Sequence, residues 1–182
     1  MKWLPTSLEV HGTEYHIRSD YRPCLEIFEA MGDVELSTEE KWLVALQILY
    51  VDDIPPEHYE EAITQALWFL NGGEESQGKK HEKPIYDWEQ DEQMIFSAVN
   101  KVAGKEIRSE AYVHYWTFTG YFNEIGEGLF TSVVNIRRKQ RKKKKLDKSE
   151  QEFYRNNKAM IDLKKKYSQK DMEIMDKLNE LI

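Results

Sequence analysis

The residues whose type and spacing come closest to a Mg²⁺ site are three carboxylates spaced two residues apart: Asp87, Glu89 and Asp91. On a helix, residues two apart point about 200° apart around the axis, so Asp87 and Asp91 can share a face but Glu89 cannot join them. Carboxylates in a first turn also offset the positive end of the helix dipole. We therefore predict that these residues start a helix, and we expect no bound metal.

The histidines and the cysteine form no recognisable catalytic or metal-binding motif. The five histidines share no ligand spacing; they are His11, His16, His58, His81 and His114. We expect His114 to be a hydrogen-bonded core residue, because no serine or cysteine motif supplies a nucleophile for it. Cys24 is the only cysteine, which excludes an internal disulfide framework and a multi-cysteine zinc site, and we expect it to pack as a small helix residue. Gly126 and Gly128 form G-x-G without a preceding strand, a weak phosphate-loop signal. The sequence predicts a protein that is not an enzyme and holds no cofactor.

A run of eight cations in nine positions is the strongest local feature of the sequence. It comprises Arg137, Arg138, Lys139, Arg141, Lys142, Lys143, Lys144 and Lys145. Three interpretations stay open: a solvated helix end whose cations oppose the dipole, a phosphate-binding segment with salt-dependent affinity, or a surface that pairs with acidic groups of the same chain, a second copy or a partner. These eight residues are the candidate interaction residues.

The charge is distributed very unevenly along the chain. Residues 1–136 contain 10 Lys and Arg against 25 Asp and Glu, whereas residues 137–182 contain 16 against 8. An acidic body followed by a basic tail suggests an interaction surface. The first ten residues lack the apolar run of a signal peptide, and no stretch reaches the ~18 apolar residues that span a bilayer. We expect a soluble protein of a reducing compartment.

The N-terminal half of the sequence predicts a hairpin and three helices. Alternating apolar residues predict strands over Ser7–Val10 and Glu14–Ile17, with Gly12 in the turn. Helical spacing of apolar residues then predicts a helix that ends at Gly32, a second that begins with the capping box Ser37–Glu40, and a third that Pro56 opens.

The C-terminal half predicts further helices. Asp87 should cap a helix that ends at Gly104, and Ser109 should cap an aromatic one. The aromatic side chains recur at core spacing, and they are Tyr112, Tyr115, Trp116, Phe118 and Phe122. No Lys or Arg lies between Arg108 and Arg137, which disfavours base stacking. Another helix should begin at Leu129, and a capping box at Ser149–Glu152 should begin the next.

The predicted fold is mainly α, a multi-helix bundle of seven or eight helices with a small N-terminal β-hairpin and a C-terminal helical arm or hairpin. The domain prediction is a hairpin and helical subdomain over 1–71, a linker over 72–83, an aromatic-rich helical subdomain over 84–136, and a basic segment with C-terminal helices over 137–182. The linker is predicted because residues 72–83 contain no apolar side chain. The C-terminal helices, over Gln151–Ile182, could close the core or form a detachable arm, and the scarcity of apolar residues over 158–166 slightly favours an arm. After a joint at Ser168, the last helix is predicted from the apolar residues Met172, Ile174, Met175, Leu178 and Leu181.

Two motifs taken together resemble those of a known family. The first is the aromatic-flanked D-x-E-Q-D, formed by Asp87, Trp88, Glu89, Gln90 and Asp91. The second is the aromatic helix containing Tyr115, Trp116 and Phe118, which is followed by the pair Ile136–Arg137. In these motifs and in Leu4–Ser7 and Leu67–Gly73, the chain resembles the bacteriophage gp-fifteen family of tailed phages and prophages of Gram-positive bacteria. Tyr115 stands where that family usually has Trp.

What the resemblance implies is a role in tail morphogenesis. Members look like tail assembly chaperones, which hold the long tape measure protein soluble in the host cytoplasm until tail tube subunits polymerise around it. The implied partners are the tape measure protein and the tail tube protein, without a membrane, and self-association stays open. The motif residues would then be structural. The alternatives are a nucleic-acid-binding protein that uses residues 137–145 and a structural head-tail or tail component of the virion.

Overall fold

The computed structural model describes residues 3–74, 85–169, 172 and 174. The chain divides into two compact units, the first comprising residues 1–76 and 165–182 and the second residues 77–164. The described residues form eight α-helices, two 3₁₀ turns and a single two-stranded hairpin. The predicted mainly α fold with a small N-terminal hairpin is therefore confirmed. Residues 75–83 of the predicted linker lie outside the described residues.

The first unit begins with the hairpin, formed by β1 (Ser7–Val10) and β2 (Thr13–His16), which are antiparallel. His11 and Gly12 have φ values of 48° and 73°, as a two-residue type I′ turn requires, and glycine adopts this conformation without steric cost. The second strand begins one residue earlier than predicted. Ile17 pairs instead with Tyr50 in an isolated bridge, which ties the end of the hairpin to the helical part of this unit.

Three helices complete the described core of the first unit: α1 (Tyr21–Gly32), α2 (Thr38–Leu49) and α3 (Tyr59–Leu70), the last preceded by a 3₁₀ turn over Pro56–His58. The predicted capping box at the start of α2 is confirmed, because Ser37 Oγ accepts from the Glu40 amide and Glu40 accepts from the Ser37 amide. Arg18 donates to the carbonyls of Gln47 and Ile48 at the end of α2 and to that of Tyr50, the residue that follows the helix. The helices bury a compact apolar set that includes Tyr21, Cys24, Ile27, Leu46, Leu49, Ala62, Ala66 and Phe69.

The second unit is built from five helices. They are α4 (Glu92–Ala103), α5 (Tyr115–Asn123), α6 (Leu129–Arg141), α7 (Lys148–Asn156) and α8 (Lys158–Ile161), with a 3₁₀ turn over Ile107–Ser109. The buried face of α4 meets α5, α6 and the 3₁₀ turn. A separate cluster of Val133, Ile136 and Ile161 joins α6 to α8.

Three of the predicted helix starts in this unit are wrong by a few residues. The first helix starts at Glu92 and not after Asp87, because Asp87 caps a separate turn. Ser109 ends the 3₁₀ turn, and α5 is capped instead by His114. The capping box of α7 uses Asp147 and Glu150, two residues before the predicted one at Ser149.

Helices α7 and α8 pack back onto α6, so residues 148–161 form a core-closing hairpin and not a detachable arm. Ile161 is fully buried, and Phe153, Tyr154 and Met160 pack on the same cluster. The apolar side chains at Met175, Leu178 and Leu181, which the sequence assigns to the last helix, lie outside the described residues. Within the described part of the chain, no helix is long and apolar enough to cross a membrane.

Candidate functional site

The D-x-E-Q-D motif forms a tight turn that leads into α4. The Asp87 carboxylate accepts hydrogen bonds from the amides of Glu89, at 3.1 Å, and Gln90, at 2.8 Å. The amide of Asp87 donates in turn to Asp91 Oδ2, at 3.0 Å. Asp87 and Asp91 are thus connected through the backbone of the turn, and Glu89 is exposed. No group of three or more His, Cys, Asp and Glu with metal-binding geometry occurs among the described residues.

Asp91 forms a buried ion pair with Arg137 of α6, the first cation of the basic run. Asp91 is 0 % exposed and Arg137 is 5 % exposed. The guanidinium donates to both carboxylate oxygens, from Nη1 at 2.5 Å and from Nη2 at 2.9 Å. Bidentate geometry of this kind is the strongest form of an Arg–carboxylate hydrogen bond.

The remaining N–H groups of Arg137 donate to backbone carbonyls of two other segments. Nε donates to Ile161 O at 2.5 Å, Nη2 to Met160 O at 3.0 Å and Nη1 to Ile85 O at 3.2 Å. All five donors of the guanidinium are therefore used inside the second unit. Together, Arg137, Asp91 and these three carbonyls form what we call the Arg137 clamp.

Gln90 extends the clamp to the chain segment after α8. Its Nε2 donates to Asp162 O at 2.9 Å, and its Oε1 accepts from the Lys164 amide at 2.9 Å. Tyr154 holds the same segment from α7, by donating to Asp162 Oδ1 at 2.9 Å. The motif thus fixes residues 160–164 on the second unit, which is a structural role.

The aromatic motif residues serve the core of the same unit. Tyr115 and Phe118 are buried, and Trp116 is half-buried. Trp88 of the turn packs on Phe118, with ring centroids 6.1 Å apart, and on Phe122, at 5.2 Å. The predicted buried histidine is confirmed, because His114 is 3 % exposed and its Nδ1 accepts from the Trp116 amide at 3.0 Å.

A groove of about 360 Å³ lies between α4, the α5–α6 loop and the start of α6. Helix α4 is apolar on two faces: one is buried in the core, and the other carries Met94, Ala98 and Val102, four residues apart, along the groove. Leu129 and Ile125 line the opposite wall. Val102 is 36 % exposed and Leu129 is 49 % exposed, so the groove presents apolar surface to solvent.

The groove has a rigid wall and a charged rim. Thr131 Oγ1 donates to Gly126 O at 2.6 Å, and Ser132 Oγ donates to Gly128 O at 2.9 Å, which holds the loop against α6. Charges of both signs border the apolar floor, and they are Lys101, Glu124 and Glu127. The G-x-G of the sequence therefore builds a loop beside an apolar groove.

The rest of the basic run lies at the end of α6 and in the turn after it. Lys139 pairs with Glu150 at 2.5 Å. The other six cations are exposed, and we call them the basic ridge: Arg138, Arg141, Lys142, Lys143, Lys144 and Lys145. Arg137 thus differs from the rest of the basic run because it is buried, and all of its guanidinium N–H groups already donate within the second unit.

Cys24 is buried in α1 as expected, and burial raises the pKa of its thiol well above the ordinary value. Such a thiol is a poor nucleophile at neutral pH. In the second unit, burial also raises the pKa of the Tyr86 hydroxyl, which lies in the ring cluster with Trp88 and Phe130.

Neither the Asp91–Arg137 pair nor the groove was predicted from the sequence. A signal for the pair was present, since Asp91 lies four residues before Ile95 and Arg137 lies four residues after Val133, both fully buried. A charge in register with a core stripe indicates a buried partner of opposite sign. The groove carries a similar signal, because Met94, Ala98 and Val102 form a stripe beside the core stripe of the same helix.

Comparison with known proteins identifies one family. A family model described as Bacteriophage Gp15 protein matches residues 1–168. No curated protein and no solved structure matches the chain. The matched range includes the turn motif, the aromatic helix, the groove and the basic ridge.

Proposed function

The chain belongs to the Bacteriophage Gp15 protein family, and from that premise we propose that it is a tail assembly chaperone that binds the tape measure protein without catalysis. It would act in the host cytoplasm, during the assembly of a phage or prophage tail. The tail tube protein is a second proposed partner, which would displace the chaperone as the tube forms.

The groove along α4 is the observation that carries this proposal. An amphipathic helix binds a partner by laying apolar side chains at spacings of three and four residues into an apolar groove. The floor formed by Met94, Ala98 and Val102 has that spacing, and the volume is enough for a few side chains. Met94 can adapt its shape to different side chains, as a chaperone of a long and variable helix needs.

The polar side chains of the motifs support a non-catalytic role. Backbone amides donate to the side chains of Asp87 and Gln90, and Arg137 donates to Asp91. His114 Nδ1 accepts from a backbone amide and so caps α5. A general base needs a free lone pair within reach of a substrate proton. In these residues, each acceptor atom named above already accepts a hydrogen bond that supports the fold.

Co-expression with the tape measure protein of the same phage tests the proposal. We expect a soluble complex with the wild-type chain, and loss of that complex with Val102→Asp, because a carboxylate placed on the groove floor would have to be desolvated by the partner helix. Val51→Asp is the matched control, since Val51 is 52 % exposed, belongs to the first unit and does not line the groove. Two proteins that elute separately would contradict the proposal, and so would a complex that only Val51→Asp abolishes.

The virion-component alternative predicts a different fate for the protein. An assembly chaperone leaves before the particle is complete, whereas a head-tail or tail component remains. Mass spectrometry of purified particles should therefore detect tube and tape measure proteins but not this chain. Detection of the chain in amounts comparable with a tail component would favour the alternative.

A further inference from the structure

The basic ridge at the end of α6 is a second exposed surface, separate from the groove. We propose that it docks onto the acidic first unit of a second copy of this chain. This inference does not rest on the proposed function, because it concerns the purified chain alone.

The ridge is held in a defined geometry. Helix α6 ends with the Lys143 amide donating to Gln140 O at 2.9 Å and the Lys144 amide donating to Lys139 O at 2.8 Å. This is the hydrogen-bond pattern of a Schellman motif, in which Lys143 occupies the left-handed position with φ of 52°. The turn is fixed at its other end by the capping box of Asp147 and Glu150. The lysines are therefore presented by an ordered turn.

Among the described residues, the positive charge of the four ridge lysines, 142–145, is not neutralised within the second unit. The carboxylates of Asp91 and Glu150 pair with Arg137 and Lys139, which lie outside the ridge. Within the described residues, none of the four lysines of 142–145 forms an ion pair. The helix dipole offsets part of the repulsion among these cations, and an external anionic surface would offset more.

The first unit offers such a surface. Over its described residues, 3–74, 165–169, 172 and 174, it contains 15 Asp and Glu against 5 Lys and Arg. Thirteen of the acidic residues are exposed, all except Asp20 and Glu61. Of the five cations, Arg18 binds carbonyls at the end of α2 and Arg22 pairs with Asp20. The exposed acidic side chains therefore give this unit a strongly negative surface.

A second copy suits the ridge better than nucleic acid does. Proteins that bind nucleic acid usually carry a basic domain, whereas this chain has a net charge of -7 and an acidic unit that phosphates would repel. Opposite charges on two surfaces of one chain allow head-to-tail docking, with the ridge of one copy on the acidic unit of the next. Such heterologous contacts extend into rings or filaments.

Salt dependence of the molar mass tests this docking. Sedimentation velocity or light scattering should give a mean mass of roughly twice the 21.7 kDa chain or more at low salt and micromolar concentrations. At ~1 M salt, where the screening length is about 3 Å, the mass should return to that of the monomer. A monomer at every concentration and salt would overturn the proposal.

Two quadruple variants with the same net charge separate the ridge from general charge effects. The ridge variant carries Lys142→Glu, Lys143→Glu, Lys144→Glu and Lys145→Glu. The control variant carries Lys148→Glu, Arg155→Glu, Lys158→Glu and Lys164→Glu, which are all exposed positions of the same unit. We expect the ridge variant to be monomeric at low salt and the control to associate like the wild type. Equal loss of association in both variants would overturn the proposal.

Mixing tests the head-to-tail geometry. The ridge variant keeps its acidic unit, so it should cap assemblies of the wild-type chain and reduce their mean mass in proportion to the amount added. Unchanged wild-type assemblies in its presence would contradict heterologous docking. Association of the wild type that disappears after nuclease treatment would assign the ridge to nucleic acid instead.

Discussion

At the scale of single residues, the second unit depends on the buried, bidentate ion pair between Asp91 and Arg137. A buried charge costs several kcal/mol of desolvation unless good geometry and further hydrogen bonds compensate it. Here the guanidinium uses all five N–H groups, and the carboxylate also accepts from the Asp87 amide. Each partner is therefore costly to remove alone.

Asp91→Ala should lower the free energy of unfolding of the second unit by about 3–5 kcal/mol, because it leaves the Arg137 charge buried and unpaired. Urea unfolding followed by tryptophan fluorescence measures this change. The double variant Asp91→Leu/Arg137→Met should recover part of the loss, but not all of it, because the carbonyls of Ile85, Met160 and Ile161 would lose their donor. An Asp91→Ala variant as stable as the wild type would contradict the role given to the clamp.

Lys143 occupies a left-handed backbone conformation that favours glycine, with φ of 52°. Lys143→Gly should therefore raise the free energy of unfolding by about 1 kcal/mol. Lys142→Gly is the matched control: it removes the same charge from the neighbouring position, where φ is -83° and glycine gains nothing. Thermal unfolding of both variants checks this, and a control as stable as Lys143→Gly would show that charge relief and not backbone strain is responsible.

At the scale of elements, the helix ends depend on carboxylates. Hydrogen bonds from Ser37 lower the pKa of Glu40, those from the Glu150 amide lower the pKa of Asp147, and those from Arg108 lower the pKa of Glu106 to about 2. A carboxyl whose pKa is lower in the folded state stabilises the fold above its unfolded pKa, and this stabilisation is lost as the pH falls through the folded value.

Stability should therefore decrease as the pH falls from the unfolded carboxyl pKa of 4.5 towards about 2. Glu106→Gln should make this decrease less steep, because it removes the carboxyl group whose pKa is lowered to about 2, although the variant is less stable at pH 7. Thermal unfolding across this pH range measures the slope. An identical slope in wild type and variant would contradict the assignment.

Gln90 connects the motif turn to the chain segment after α8. Gln90→Met, which keeps the volume but removes both hydrogen bonds, should speed hydrogen exchange of the Lys164 amide by at least about 5-fold, a change of roughly 1 kcal/mol in opening free energy. The amide of Ile95 within α4 serves as the internal control and should exchange as in the wild type. Unchanged exchange at Lys164 would show that Gln90 does not hold the segment.

The helices could be predicted because each carries an apolar stripe, and the capping box at Ser37 fixed the start of α2. The start of α5 could not be predicted, because a histidine cap is rare and Ser109 offered a commoner one five residues earlier. The Asp91–Arg137 pair joins residues 46 positions apart, and local periodicity does not report which distant residues meet. The burial of Asp91 and Arg137 could still be predicted, because each lies four residues from a core position of its own helix stripe.

At the scale of the whole molecule, the two units differ in charge and in exposed surface. The first is strongly acidic, and the second presents an apolar groove beside the start of α6 and a basic ridge at the end of α6. This arrangement suits a protein that works by contacts with other chains: the groove for an amphipathic partner helix and the ridge for another copy. Separate surfaces would allow several copies to associate while each holds part of a long helix.

The groove is the surface on which the proposed function depends, and photo-crosslinking tests it most directly. A photoreactive phenylalanine analogue placed at Leu129, on the groove wall, should crosslink to the tape measure protein in the co-expressed complex. The same analogue at Val51, exposed in the first unit, should not. Crosslinks from position 51 with none from position 129 would contradict the account, because the partner would then bind elsewhere.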